Sequence, residues 1–139
     1  MRVYFDSSAF AKRYVQEADT AEVLAWCDRA DELALSAIAI PELMSAFCRL
    51  RREGRLAAAQ YSAIKRDLLA DIEDALICGT TAEVVQHAVW ALEAHPVRGM
   101  DAIHIGAARA CGAEVFVSAD ARQCRAAGEL GFEVVVLGQ

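Results

Sequence analysis

Two kinds of apolar pattern alternate along the chain. Val3-Tyr4-Phe5, Leu33 to Ser36, Val115-Phe116-Val117-Ser118 and Glu133 to Leu137 are short runs of mostly β-branched, aromatic or aliphatic residues without polar alternation. Such runs predict strands buried on both faces, as in a parallel sheet. Between them apolar residues recur every three or four positions, the helical period. Ser7 onward opens a first helix, and Asp19 with Glu22 forms a capping-box pattern for a second that runs to about Ala30. Ile38 to Glu53 carries Leu43, Phe47 and Leu50 on one stripe, with Pro41 in its first turn and Gly54 as its stop. Arg55 to about Leu76 spaces Ile64, Leu68, Ile72 and Leu76 four apart, so it should fold back on the preceding helix as a hairpin. Thr80 with Glu83 opens a helix that ends at His95-Pro96, and a small-residue helix runs from about Asp101 to Gly112. Ala121 to Leu130 supplies the last helix, with Gly131 as the turn. Strands separated by helices predict a three-layer α/β/α sandwich around a small, mainly parallel sheet of about four strands, with room for a fifth near Leu76 to Cys78.

Length and composition narrow the picture. At 139 residues the chain reads as one domain, 1–139, without repeats or linkers. Its 56% hydrophobic content excludes a disordered chain. No apolar run approaches the ~20 residues of a membrane span, and Asp6, Lys12 and Arg13 interrupt the start where a signal peptide would be apolar, so the expectation is a cytoplasmic protein without membrane contact. Five cysteines, scattered and without a C-x-x-C pair, read as reduced and mostly buried thiols, and the spacing of His104, Cys111 and Cys124 fits no zinc finger. The net charge of −6 means the chain as a whole repels nucleic acid unless local cations reverse the sign.

The chemistry rests on acids. Asp6 and Asp120 follow buried strands on the same predicted edge of the sheet, where ligands of open α/β sheets bind. Asp101 and Glu42 open helices that start near that edge. Asp6, Asp101 and Asp120 each stand where a helix starts, and taken singly each reads more readily as a helix cap than as a catalytic acid. Gathered together they would raise one another's pKa and oppose folding unless a cation neutralised them. Carboxylate oxygens completed by water suit Mg²⁺ or Mn²⁺, and such ions act on phosphate.

Val-Tyr-Phe-Asp-Ser-Ser-Ala at the N-terminus, Ser36 followed by Glu42, Met-Asp-Ala-Ile-His around Asp101 and Val-Ser-Ala-Asp at Asp120 together resemble the PIN-domain ribonucleases, specifically the VapC-like toxins of bacterial toxin–antitoxin pairs. The resemblance spans the chain. It implies a Mg²⁺- or Mn²⁺-dependent endoribonuclease that hydrolyses RNA phosphodiester bonds and inhibits translation. It also implies an acidic quartet of Asp6, Glu42, Asp101 and Asp120. In that quartet Asp6 and Asp101 would be direct metal ligands, Asp120 a more distant or second-metal ligand, and Glu42 the group that orients water or acts as base. Ser7 and Ser118 match small hydroxyl positions beside such a site, though each suits a turn cap equally. His104 reads as a packed helix histidine. The expected partners are an RNA substrate, a small cognate antitoxin of the VapB type and a second copy of the chain.

Lys12 and Arg13, about two helical turns after Asp6, and Arg98, just before Asp101, are the candidate RNA contacts. The cluster Arg49, Arg51, Arg52 and Arg55 flanks a helix C-terminus, where cations are favoured in any case. Two other readings stand beside the nuclease. One is a PIN-fold domain that binds RNA or protein without cutting. The other is a different phosphoryl-transfer α/β protein, such as a receiver domain or aspartyl phosphatase. Against the phosphatase, Ser8 stands where a second Asp is needed, and against the receiver, no acidic pair precedes the first helix.

Overall fold

The structure is a computed structural model describing residues 1–138. Its centre is a five-stranded sheet built from β1 (Arg2–Phe5), β2 (Glu32–Ser36), β3 (Leu76–Cys78), β4 (Val115–Ser118) and β5 (Glu133–Val136), in the order β3-β2-β1-β4-β5. Every neighbouring pair is parallel. The possible fifth strand near Leu76 is therefore present, at the sheet's edge.

Side chains alternate across this sheet and both sides are covered. Val3, Phe5, Leu35, Val115 and Val117 face one core. There they meet α1 (Ser7–Phe10), α2 (Thr20–Arg29), α3 (Ala39–Arg52) and α4 (Ala58–Asp74). Tyr4, Ala34 and Phe116 face the other, under α5 (Ala82–Ala94), α6 (Gly99–Ala110) and α7 (Ala121–Glu129). The chain steps outward from β1 to β2 to β3 with helices on one face, then returns to β4 and β5 with helices on the other. That reversal places a topological switch point between the C-terminal ends of β1 and β4, where open α/β sheets bind their ligands.

Local chemistry explains most boundaries. Gly54, Gly112 and Gly131 follow the C-caps of α3, α6 and α7 with φ of +74°, +72° and +95°, the left-handed turn that glycine adopts without penalty. Cys48 late in α3 meets Tyr61 early in α4, Sγ to Oη 3.5 Å, which confirms the helical hairpin. Several expectations need correction. The first helix is one α-turn followed by a 3₁₀ turn over Ala11–Arg13. Asp19 precedes α2 without capping it, because its carboxylate is drawn to Lys12 Nζ at 2.9 Å. The cap of α5 is Thr81, whose hydroxyl accepts Val84 N–H at 3.2 Å, one residue later than the sequence pattern implied. The five cysteines are free, but only Cys124 is fully buried.

Candidate active site

The site is assembled at the switch point. Asp6 leaves β1 with extended backbone, φ −77° and ψ 173°, so its carboxylate turns back and accepts Ala9 N–H at 2.9 Å, capping α1. The same carboxylate accepts the Ser8 hydroxyl at 2.8 Å and, from the end of the adjacent strand, the Ser118 hydroxyl at 2.7 Å. Asp6 is 5% exposed. Burial raises its pKa above the ordinary aspartate value, opposed in part by the hydrogen bond from Ser118, the nearby His104 and the donors at Ala9 and Ser8.

Ser118 joins the Asp6 carboxylate to the backbone of Asp120, and Gln123 beside it reaches the backbone of Asp101. Its oxygen accepts Asp120 N–H at 2.9 Å and lies 3.0 Å from Gln123 Oε1. Asp120 caps α7, accepting Arg122 N–H at 2.9 Å and Gln123 N–H at 3.3 Å. Gln123, 1% exposed, donates its amide to the backbone carbonyl of Asp101 at 3.1 Å. Asp101 stands in the first turn of α6, and with Asp120 it lines a cavity of about 340 Å³ closed by Pro96, Val97, Arg98 and Arg122.

Glu42 approaches from α3, where it occupies the first turn. Its Oε1 accepts the Ser7 hydroxyl at 2.6 Å and meets His104 Nε2 at 2.8 Å. The hydrogen bond from His104, supported by that from Ser7 and opposed by partial burial, holds the Glu42 carboxyl below the usual glutamate range. Both hydroxyls anticipated from the sequence, Ser7 and Ser118, thus contact acids of the quartet.

The basic residues divide. Lys12 is committed to Glu17 at 2.5 Å and Asp19 at 2.9 Å, and Arg13 to Asp71 at 2.9 Å, in contacts that fasten the 3₁₀ turn to α2 and α4. Arg98 is exposed and borders the acidic cavity. Arg122, not singled out from the sequence, borders it too. Ser8, Gln123 and Tyr4 were likewise missed as parts of the site. Gln123 stands three residues after the capping Asp120, a capping-box spacing that marks a helix start but not a bridge to Asp101.

The donor set is hard oxygen, which matches Mg²⁺ or Mn²⁺ and not a thiol- or imidazole-loving ion. Among the described residues no three His, Cys, Asp or Glu side chains converge as a ready cage. Mg²⁺ needs only one or two carboxylates with water in the remaining positions, so the residues present fit such an ion without a closed protein cage.

The PIN domain family model matches residues 3–129. Over 110 residues the chain is 34% identical to Ribonuclease VapC49 of Mycobacterium tuberculosis (strain ATCC 25618 / H37Rv), covering 79% of this chain and 76% of that protein. Among solved structures, Mycobacterium tuberculosis VapC20, described as a sarcin-ricin loop cleaving toxin, superposes with a TM-score of 0.68 at 19% identity, over 95% of this chain and 98% of that one. A toxin–antitoxin complex from Klebsiella pneumoniae superposes with a TM-score of 0.69 at 18% identity, over 96% of each chain. At these identities the structural matches carry the fold.

Proposed function

The chain belongs to the PIN-domain family, and from that membership we propose that it is an endoribonuclease, the toxin of a toxin–antitoxin pair that acts by hydrolysing RNA. What supports the reading at residue level is the buried Asp6 carboxylate at the β1/β4 switch point, shared with Ser118 of the neighbouring strand, whose hydroxyl oxygen also takes the N–H of Asp120, an acid that lines one cavity with Asp101. Caps alone do not require neighbouring strands to share one buried carboxylate.

Asp6, Asp101 and Asp120 are the residues that would hold Mg²⁺ or Mn²⁺. Bound there, the ion would make water a nucleophile at neutral pH and offset charge developing on the phosphodiester. The chain's own part is positioning. Ser8, Ser118 and the Ala9 N–H hold the Asp6 carboxylate in one orientation. Glu42, kept ionised, has Oε1 fixed by two partners, and Oε2 takes no hydrogen bond among the described residues. In this reading Oε2 would take a proton from attacking water. Arg98 and Arg122 at the cavity rim are the phosphate contacts, in place of the internally paired Lys12 and Arg13.

The partners of this reading are an RNA, a small VapB-like antitoxin whose cationic segment would complement the acids, and a second copy of the chain. The test is cleavage of total RNA or tRNA with Mg²⁺, with Mn²⁺, and with chelator, by wild type, Asp6→Asn and Asp101→Asn. Expected is metal-dependent cleavage that falls about 100-fold or more in both variants. Mg²⁺ should also raise the wild-type Tm, by linkage of binding to folding, and leave that of the variants nearly unmoved. Folded variants that cut like wild type would refute the acid site.

A further inference from the structure

Beneath Glu42 lies a polar pair that the proposed chemistry does not use. His104 is 3% exposed and Tyr4 is 0% exposed. Tyr4 Oη lies 2.6 Å from His104 Nδ1, and His104 Nε2 lies 2.8 Å from Glu42 Oε1. The tyrosine ring is clamped, stacked on Phe116 with centroids 5.4 Å apart and edge-on to the imidazole at 5.9 Å. A lone buried histidine on an apolar helix face needs only some partner. This one has a separate partner on each ring nitrogen, and the second is the acid read above as the base.

We propose that Tyr4 and His104 are positioning residues, a buried relay that holds the His104 ring with Nε2–H toward Glu42 and so locks Glu42 Oε1. The proton inventory leads to this. A carboxylate can only accept, so the ring proton belongs on Nε2, 2.8 Å from Glu42 Oε1. In the relay Nδ1 then accepts the Tyr4 hydroxyl 2.6 Å away. Ser7 supplies the second donor to the same oxygen at 2.6 Å. Without the phenol, Nδ1 is buried with no donor, and the ring loses the partner that sets its orientation against Glu42. The side chain would then lose its fixed geometry, and small misplacements of a catalytic group are expensive in rate.

The inference rests on the reading of Glu42 as the base, and the experiment separates the two. Long-range ¹H–¹⁵N spectra of the wild-type chain, with the His104 signals assigned by their loss in His104→Gln, should show a bare Nδ1 and a protonated Nε2. Tyr4→Phe keeps the stacked ring and should perturb that pattern, lowering kcat about 10- to 100-fold while leaving KM for RNA unchanged. His104→Gln, whose amide can still donate to Glu42, should retain more activity than His104→Ala. A protonated Nδ1 in the wild type overturns the relay without reference to activity. So does a Tyr4→Phe protein that cuts at the wild-type rate while Glu42→Gln is inactive. If Glu42→Gln is itself fully active, the assigned base is wrong and the inference falls with it.

Discussion

At the scale of single residues, two carboxylates of one site are pushed in opposite directions. Glu42 is held ionised by hydrogen bonds from His104 and Ser7. Asp6 is raised, because burial outweighs its four stabilising neighbours Ser118, His104, Ala9 and Ser8. The signs give opposite consequences for folding. A carboxyl whose folded pKa is raised favours the native state below its unfolded pKa, near 4, and that contribution is lost as pH rises through the folded value. For Glu42, with its folded pKa depressed, the favourable contribution is present above the unfolded value and lost as pH falls through the folded one; its partial exposure keeps this small. At neutral pH without metal, ionised Asp6 therefore costs stability. Asp6→Asn keeps an oxygen for the Ala9 cap, so the variant should melt a few degrees above wild type near pH 7, and the gain should shrink toward pH 3. Thermal melts in chelator across that range test it. A variant less stable than wild type at every pH would make capping the residue's main duty.

At the scale of elements, what was legible followed local chemistry and what was not depended on distant pairing. Val115–Ser118 could be read to the residue, because four apolar or small positions lie between a glycine stop and a capping Asp. The end of α4 could not. Ile64, Leu68, Ile72 and Leu76 keep one helical stripe, yet the helix stops at Asp74 and Leu76 pairs with Ala34 in the sheet. Only the open edge of β2 decides that. The site divides in the same way. Asp6 and Asp120 were visible as acids at strand ends, whereas the contact of Glu42 with His104 joins positions 62 residues apart and has no local trace. The closest approach of two helices was also hidden. Gly106 in α6 sits against α5 so closely that an added Cβ would lie 2.4 Å from the Val84 carbonyl oxygen and 3.2 Å from Ala88 N. Backbone cannot yield as a side-chain tip can, so Gly106→Ala should cost about 1–3 kcal/mol. Because α6 carries Asp101 and His104, nuclease activity should fall with it. Urea unfolding measures the first effect, and a variant as stable as wild type would mean that α5 and α6 slide apart freely.

At the scale of the whole molecule, a chain of net charge −6 must attract a polyanion locally or not at all. The fold removes two of the cations nearest in sequence to Asp6 from that task, since Lys12 is held by Glu17 and Asp19 and Arg13 by Asp71. It brings two others, Arg98 and Arg122, to the rim of the cavity shared by Asp101 and Asp120. Their neutral neighbours there, Pro96 and Val97, leave the guanidinium groups as the cationic lining of an otherwise acidic mouth. RNA affinity should then respond to position more than to the number of charges. With Glu42→Gln as a cleavage-deficient background that retains the cavity, binding of a single-stranded RNA is measured against salt concentration. Each phosphate contact removed from a single strand lowers the log–log slope by about 0.7. Arg98→Ala and Arg122→Ala should each weaken binding and flatten the slope by about that amount. Lys12→Ala should leave the slope alone and instead lower stability modestly, because it breaks contacts within the fold. A slope that flattens for Lys12→Ala and not for Arg98→Ala would move the RNA path away from the cavity and toward α2.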